Sequence, residues 1–155
     1  MKAALLTIEL VPKSCWFSNV RSQVDTATWD KLRRSTYKSA NHVCQVCGGR
    51  GPKWPVECHE IFHYDDELHI QKLTGLIALC PDCHSVKHIG YAAIQNKADQ
   101  AEAHLARING WSEQETSLYL EKVWRIWRLR SREKWELNLD WLELEDGQYL
   151  ERNNK

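Results

Sequence analysis

The sequence lacks any long apolar run. No stretch of the 155-residue chain approaches the ~20 consecutive apolar residues that a membrane-spanning helix needs. The start of the chain holds one basic residue and a short apolar run that meets Glu9, which is too short for a secretory signal. These absences argue against a membrane role and predict a cytoplasmic protein.

An excess of either charge is also missing. The 21 basic and 21 acidic residues balance, which weighs against nucleic-acid binding because such proteins usually carry a basic excess. The distribution is uneven, since six basic and two acidic residues stand between Glu121 and Lys134, a local balance of +4. A solvated helix face and a phosphate-binding face are both consistent with this cluster.

Cysteine is the residue type whose arrangement is most informative. Four of the six cysteines form two Cys-x-x-Cys pairs, which are typical of metal ligands in a chain without an export signal. Each pair aims two thiolates at one point, and two pairs complete a tetrahedron that leaves no position for water. A redox-active pair would lack its usual βαβ context. We therefore predict a structural zinc held by four residues: Cys44, Cys47, Cys80 and Cys83.

Local patterns predict a mixture of strands and helices. The segment 4–11 mixes β-branched and aliphatic residues up to Pro12, which predicts a strand. Thr28 is placed to cap a helix from Trp29 to about Asn41. Two short strands joined by a long loop are expected at Val56–Phe62 and Leu76–Leu79.

The last third of the chain predicts a helical hairpin and a strand. Apolar residues recur at helical spacing from Ile94 to Ile108, and Gly110 is a stop signal. Ser112 and Glu115 form a capping-box pattern, which predicts a second helix over about 113–131. Alternation of polar and apolar residues over 135–141 predicts a half-buried strand that pairs with the N-terminal one.

Histidines cluster around the second cysteine pair. Five of the seven lie within 30 positions, and two of them stand four apart, on one face of a helical turn. Such a density beside a zinc knuckle favours a second metal site over a set of surface side chains. The five are His59, His63, His69, His84 and His88.

These motifs together resemble a known family. Cys-x-x-Cys-Gly at 44–48 is followed by Val-Glu-Cys-His-Glu-Ile at 56–61 and by Gly-Leu-Ile-Ala-Leu-Cys-Pro-Asp-Cys-His-Ser-Val-Lys-His at 75–88. The combination resembles the HNH endonucleases, in the branch whose ββα-metal core is braced by a four-cysteine zinc. The resemblance covers about residues 43–90 and implies that core, which a helix often precedes in the family. Together with the C-terminal helical hairpin that the local patterns predict, the expected fold class is α+β.

The resulting expectation is a single domain over 1–150. Its predicted parts are an N-terminal strand and helix over 4–41, the HNH-like core over about 43–90, the helical hairpin and strand over 91–145, and a frayed tail over 151–155.

The resemblance also implies site residues. His59, His84 and His88 would hold a second divalent metal, namely Mg²⁺, Mn²⁺, Ni²⁺ or Zn²⁺. Glu60 stands where the family has its histidine base, and Gly75 stands where the family has an asparagine. His63, further along the same strand, is the alternative base.

Two functions remain open from the sequence, with a purely structural interaction domain as a third. The first is a metal-dependent HNH-type endonuclease that hydrolyses phosphodiester bonds in DNA. The second is a non-catalytic zinc-binding module of HNH-like fold that binds DNA or a protein partner. The sequence does not indicate an oligomeric state. Phosphate contacts are expected from five basic residues: Lys87, Arg125, Arg128, Arg130 and Arg132.

Overall fold

The chain folds as an α+β protein in which helices cover a small three-stranded sheet. The computed structural model describes residues 4–146. Within this range no helix is both long enough and apolar enough to cross a lipid bilayer. In chain order the elements are a 3-10 helix Lys13–Cys15, α1 Val20–Gln23, α2 Thr26–Ser39, β1 Glu57–Asp65, β2 Ile70–Leu79, α3 Pro81–Lys87, α4 Ile89–Ile94, α5 Ala98–Asn109, α6 Glu113–Arg130, β3 Glu136–Asn138 and α7 Trp141–Asp146.

An antiparallel hairpin of β1 and β2 is the base of the sheet. β3 joins the other side of β2 in the parallel direction. The prediction of two short strands with a long connection is wrong, because only residues 66–69 separate the strands. The turn is tight because the Asp65 carboxylate accepts the backbone N–H groups of Glu67 and Leu68 at 3.0 and 2.9 Å.

The hairpin packs into two hydrophobic cores, one on each face. Ile77 and Leu79 point into the core that contains α3, α4, α5 and α6. Leu73 and Leu76 point into the opposite core, which α1, α2 and α7 complete. Leu73 and Leu79 are wholly buried, and each such side chain contributes about 1.5–3 kcal/mol of transfer free energy. The sheet therefore presents a separate face to α3 and to α2.

The N-terminal segment is not the strand that the sequence predicts. Residues 4–11 pair with no strand, although Leu6 and Ile8 are buried as a strand would require. Helix side chains bond to this backbone instead: the Asn109 amide oxygen accepts the Leu6 N–H at 3.1 Å, and the Tyr119 hydroxyl accepts the Ile8 N–H at 3.0 Å. Because these partners come from α5 and α6, local alternation could not distinguish this segment from a strand.

The C-terminal strand is also shorter than predicted and has a different partner. β3 pairs with Ile70–Lys72 of β2 and not with the N-terminal segment. The strand ends where the Asn138 side chain accepts the Asp140 N–H at 2.9 Å, and helix α7 begins at Trp141. The predicted tail over 151–155 lies outside the described residues.

Helix ends follow the capping signals with two corrections. Asp25, not Thr28, caps α2, and its carboxylate accepts the Thr28 N–H at 2.7 Å. The periodic segment from Ile94 to Ile108 is divided between α4 and α5, with Asn96 at φ 59° in the break. Both bonds of the Ser112 capping box are present at the start of α6.

Candidate metal centres

Two Cys-x-x-Cys turns bring four cysteine sulfurs together. The first turn follows α2, and there the Cys47 N–H approaches the Cys44 Sγ at 3.5 Å. The second joins β2 to α3, and there the Cys83 N–H approaches the Cys80 Sγ at 3.5 Å. All four Sγ atoms lie within 4.8 Å of one another. This cluster can hold a metal ion such as zinc.

The sulfur spacing and the thiol electrostatics both suit a tetrahedral cation site. The Sγ atoms of Cys47 and Cys80 are 3.6 Å apart, close to the ~3.8 Å that Zn–S bonds of about 2.3 Å give in a tetrahedron. Burial raises the pKa of Cys80 to about 11, and burial and the neighbouring thiolates raise the pKa of Cys83 further. Burial opposes ionisation of Cys44 too, but N–H donors outweigh it and lower the pKa of that thiol to about 7. Ionisation of Cys80 and Cys83 at neutral pH therefore requires a cation.

A histidine on α5 that is not among the residues predicted from the sequence contacts the cysteine cluster. The His104 Nε2 lies 3.2 Å from the Cys83 Sγ, and the Arg107 guanidinium lies 2.7 Å from the His104 Nδ1. Because a guanidinium only donates, Nδ1 accepts and Nε2–H donates to the sulfur. Hydrogen bonds of this kind orient a metal ligand. The position of His104 on the apolar face of α5, beside Leu105, was the available signal.

Replacing His104 by phenylalanine tests this support. Phenylalanine fills similar volume but cannot donate to the Cys83 sulfur, so we expect zinc affinity to fall roughly 10- to 100-fold. Competition with a zinc chelator measures the change. His63→Phe, on the exposed side of β1, is the control and should bind zinc like the parent. Equal affinities in both variants would contradict the assigned role.

A second cluster consists of His59, His84 and His88. His59 lies on β1 and is 3% exposed, His84 is on α3, and His88 ends that helix. One ring nitrogen of each lies within 4.8 Å of the others, and the ring centroids are 4.9–5.3 Å apart. The i, i+4 spacing places His84 and His88 on one side of the helix end, facing the strand. The structure thus groups the three histidines that the HNH resemblance implies as ligands.

Two glutamates fix the rings of this cluster. Glu57 Oε1 lies 2.9 Å from His84 Nδ1, and the Trp54 indole N–H holds the other Glu57 oxygen at 2.9 Å. Glu9 contacts His59 Nε2. Since an ionised carboxylate only accepts, the contacted nitrogens carry the proton in the neutral form of each ring, and in those tautomers the lone pairs lie on His84 Nε2 and His59 Nδ1.

The donor chemistry of the histidine cluster fits a metal ion. His59 Nδ1 is buried and has no hydrogen-bond partner within the described part of the chain. Burial lowers the pKa of His59, and burial together with the neighbouring histidines lowers the pKa of His88 to about 3, so both rings are neutral at pH 7. A buried neutral imidazole with an unpaired lone pair is the form that ligates transition metals.

Glu57→Gln tests the orienting role of the first carboxylate. The amide no longer holds the His84 proton as strongly, so we expect the affinity of the histidine cluster for Mn²⁺ or Ni²⁺ to fall roughly 10- to 100-fold. Titration calorimetry on zinc-loaded protein measures this affinity. Glu67→Gln, in the exposed hairpin turn, makes the same change in charge and should bind like the parent. Equal weakening in both would indicate a net-charge effect only.

The two candidate bases lie in different places. Glu60 points to the face of β1 opposite His59, where its Oε2 accepts the Val20 N–H at 3.1 Å at the start of α1. It still lines one cavity with the three histidines. His63 is exposed near the hairpin turn and belongs neither to the histidine cluster nor to that cavity, as far as residues 4–146 show.

The five predicted phosphate-binding residues divide into two groups. Lys87 Nζ donates to the Thr7 hydroxyl at 2.8 Å, and Arg130 makes a bidentate pair with Asp66 at 2.8 and 3.0 Å while it covers the Tyr64 ring. Both cations therefore have partners within the fold. Three remain exposed at the surface: Arg125, Arg128 and Arg132.

Glu57 and Glu9 are not among the site residues predicted from the sequence, and the two differ in how clearly the sequence indicates them. Glu57 stands two residues before His59, so strand alternation places both on the face that meets α3. Glu9 comes from the N-terminal segment, and no local pattern connects it to His59.

Comparison of the chain with protein-family models, curated proteins and solved structures gives no match. The HNH resemblance therefore stays a prediction from residues 43–90.

Proposed function

We propose that this chain is a metal-dependent endonuclease of the HNH type that hydrolyses phosphodiester bonds in DNA. The observation that carries the proposal is the grouping of His59, His84 and His88 on a β-hairpin and the helix that follows it. The four-cysteine cluster at the junction of β2 and α3 supports it, because that junction holds His84 against the strand. Strand, strand and helix is also the order that the HNH resemblance implies.

The ligand set indicates which cations to test. Imidazole suits Mn²⁺, Ni²⁺ and Zn²⁺, and Mg²⁺ is suitable where phosphate and water oxygens complete its coordination. A divalent cation bound to the three histidines would supply charge stabilisation for the phosphate and the leaving oxygen. The carboxylates of Glu9 and Glu57 would keep the rings in the tautomers that present lone pairs.

Glu60 is the proposed general base. Burial raises the pKa of its carboxyl above the usual range, towards the neutral pH at which a base is most effective. In the proposed step, the oxygen of a water molecule forms a bond to phosphorus and one proton of that water passes to Glu60. The bond from phosphorus to the leaving oxygen breaks, and the leaving oxygen takes up a proton from solvent.

Glu60→Gln should lower the cleavage rate by about 10²–10⁴-fold, because an amide cannot take up the proton of water. Glutamine keeps an oxygen that accepts the Val20 N–H, so the melting temperature and metal content should match the parent. Initial rates of plasmid cleavage give the comparison. His63→Ala should cut at the parent rate. Loss of activity only in the His63 variant would assign the role of general base to His63. Full activity in both variants would exclude these two residues as bases.

Cleavage of supercoiled plasmid tests the proposed function itself. Zinc-loaded protein is incubated with plasmid and added Mg²⁺, Mn²⁺, Ni²⁺ or Zn²⁺, and nicked or linear product is expected with at least one cation and none after chelation. Failure to cut with every cation would remove the endonuclease proposal.

A second candidate is a non-catalytic zinc module that binds DNA. Its specific support is the hydrogen bond that the Glu60 carboxylate accepts from the Val20 N–H, which gives this carboxylate a structural use. The exposed side chains of Arg125, Arg128 and Arg132 would serve both candidates as phosphate contacts. Slower migration of the plasmid on a gel in the presence of the protein, without any cleavage, favours the non-catalytic zinc module.

A further inference from the structure

One cavity joins the histidine cluster to a group of aromatic side chains. Its volume is about 670 Å³, within the range of about 300–1,000 Å³ that is common for small-molecule sites. His59, His84 and His88 line it together with Glu9 and Glu60. Aromatic rings line it as well, and those used below are Trp16, Phe17, Tyr91 and Trp127. A ligand bound at the histidines therefore reaches aromatic surface without leaving the cavity.

The two tryptophans are held in fixed orientations. Trp16 and Trp127 both donate their indole N–H to the Val11 carbonyl, at 2.9 and 3.0 Å. Their rings are nearly parallel, with an interplanar angle of 12° and centroids 6.2 Å apart. Anchored rings lose little conformational freedom when a planar group stacks on them, which favours binding.

The neighbouring rings are open to solvent. Phe17 is 87% exposed, Tyr91 is 63% exposed and Trp16 is 52% exposed. Large apolar side chains grouped in this way at the mouth of a cavity indicate a binding surface more than a folding core.

The charge of the cavity lining indicates which part of a nucleic acid the cavity can bind. Among its described lining residues Arg21 is the only lysine or arginine, whereas Glu9 and Glu60 are acidic. A duplex needs basic groups that contact its two phosphate backbones, and the described lining of this cavity does not provide them. A nucleobase is planar and uncharged, and its faces stack on aromatic rings.

We propose that this cavity binds an unstacked nucleobase beside the phosphodiester that the histidine cluster receives. The preferred substrate is then a single-stranded or locally unpaired DNA segment. This inference rests on the proposed endonuclease function. Base stacking on such rings corresponds to roughly 5- to 150-fold in binding per base.

Oligonucleotide cleavage tests the inference with a single strand, its full duplex, and a series of each in which one abasic sugar replaces each nucleotide in turn. We expect the intact single strand to be cut at least about tenfold faster than the duplex. An abasic sugar beside the cut should remove that advantage, and Phe17→Ala or Tyr91→Ala should lower the single-strand rate about tenfold. Leu68→Ala, which removes an exposed side chain in the hairpin turn, is the control and should cut like the parent.

Equal cleavage of single strand and duplex, with abasic strands cut as well as intact ones, would overturn the base site while the endonuclease function stands. If no DNA is cut, binding decides the matter. Quenching of tryptophan fluorescence by a short intact strand, measured without added divalent metal, should exceed quenching by an abasic strand and should weaken in Phe17→Ala. Equal quenching by both strands would overturn the inference.

Discussion

Cys80→Ser is expected to remove the zinc and destabilise most of the described fold. Cys80 is 5% exposed, joins β2 to α3 and belongs to the core that α3, α4, α5 and α6 share. Metal binding by structural zinc sites contributes about 10–16 kcal/mol in small zinc-dependent folds, which exceeds or matches the 5–15 kcal/mol total stability of an ordinary domain. A chain of this size changes its melting temperature by about 2–4 °C per kcal/mol. We therefore expect either no folded protein or a fall in Tm of at least about 10 °C.

Serine makes this substitution informative, because it removes the thiolate but keeps an N-cap. The Cys80 side chain now caps α3, and serine is among the preferred residues at that position. A loss of stability in this variant is then caused by loss of the metal ion and not by loss of the helix cap. Circular dichroism melts and zinc analysis are the measurements. Cys58→Ser, a buried cysteine outside the cluster, is the control that should keep its zinc. A Cys80→Ser variant that keeps one zinc and melts like the parent would contradict the ligand assignment.

His84→Ala is expected to abolish cleavage with little change in the fold. His84 is half-buried and is not among the described residues of either hydrophobic core, so we expect its removal to leave α3 and the four cysteines in place. It supplies one of three ligand nitrogens, and loss of an outer carboxylate alone already costs about 10- to 100-fold in metal binding or activity. We expect a fall in cleavage rate of at least about 100-fold, measured as initial nicking of plasmid.

His63→Ala is the matched control for this loss, since it removes an exposed histidine from β1. Its rate should equal that of the parent, and both variants should retain the zinc of the cysteine cluster. A His84→Ala protein that cuts at the parent rate would contradict a role of the histidine cluster in catalysis.

Part of each ligand group could be predicted from the sequence because short-range geometry sets it, whereas the HNH resemblance implied that His59 joins His84 and His88. Two residues separate the cysteines of each pair, and a helical turn separates His84 from His88. The orienting partners could not be predicted in this way. Glu9 meets His59 across 50 positions and His104 meets Cys83 across 21, so each contact depends on how distant elements pack.

The partners of charged and polar groups could not be predicted either, for the same reason. Lys87 and Arg130 carry charges that suit phosphate, yet Thr7 and Asp66 engage them within the fold. The segment 4–11 has the composition of a strand, but the Asn109 and Tyr119 side chains satisfy its backbone. Composition predicts burial well and does not reveal which partner a polar group finds.

The number of metal ions per chain tests most directly whether the cysteine cluster and the histidine cluster each bind a metal ion. Protein loaded with Zn²⁺ and Mn²⁺, then freed of excess metal, is analysed by mass spectrometry for bound ions. Two ions per chain are expected in the parent, and one ion, the zinc, is expected when His84 and His88 are both replaced by alanine. One ion in both proteins would contradict a metal at the histidine cluster, and with it the proposed endonuclease.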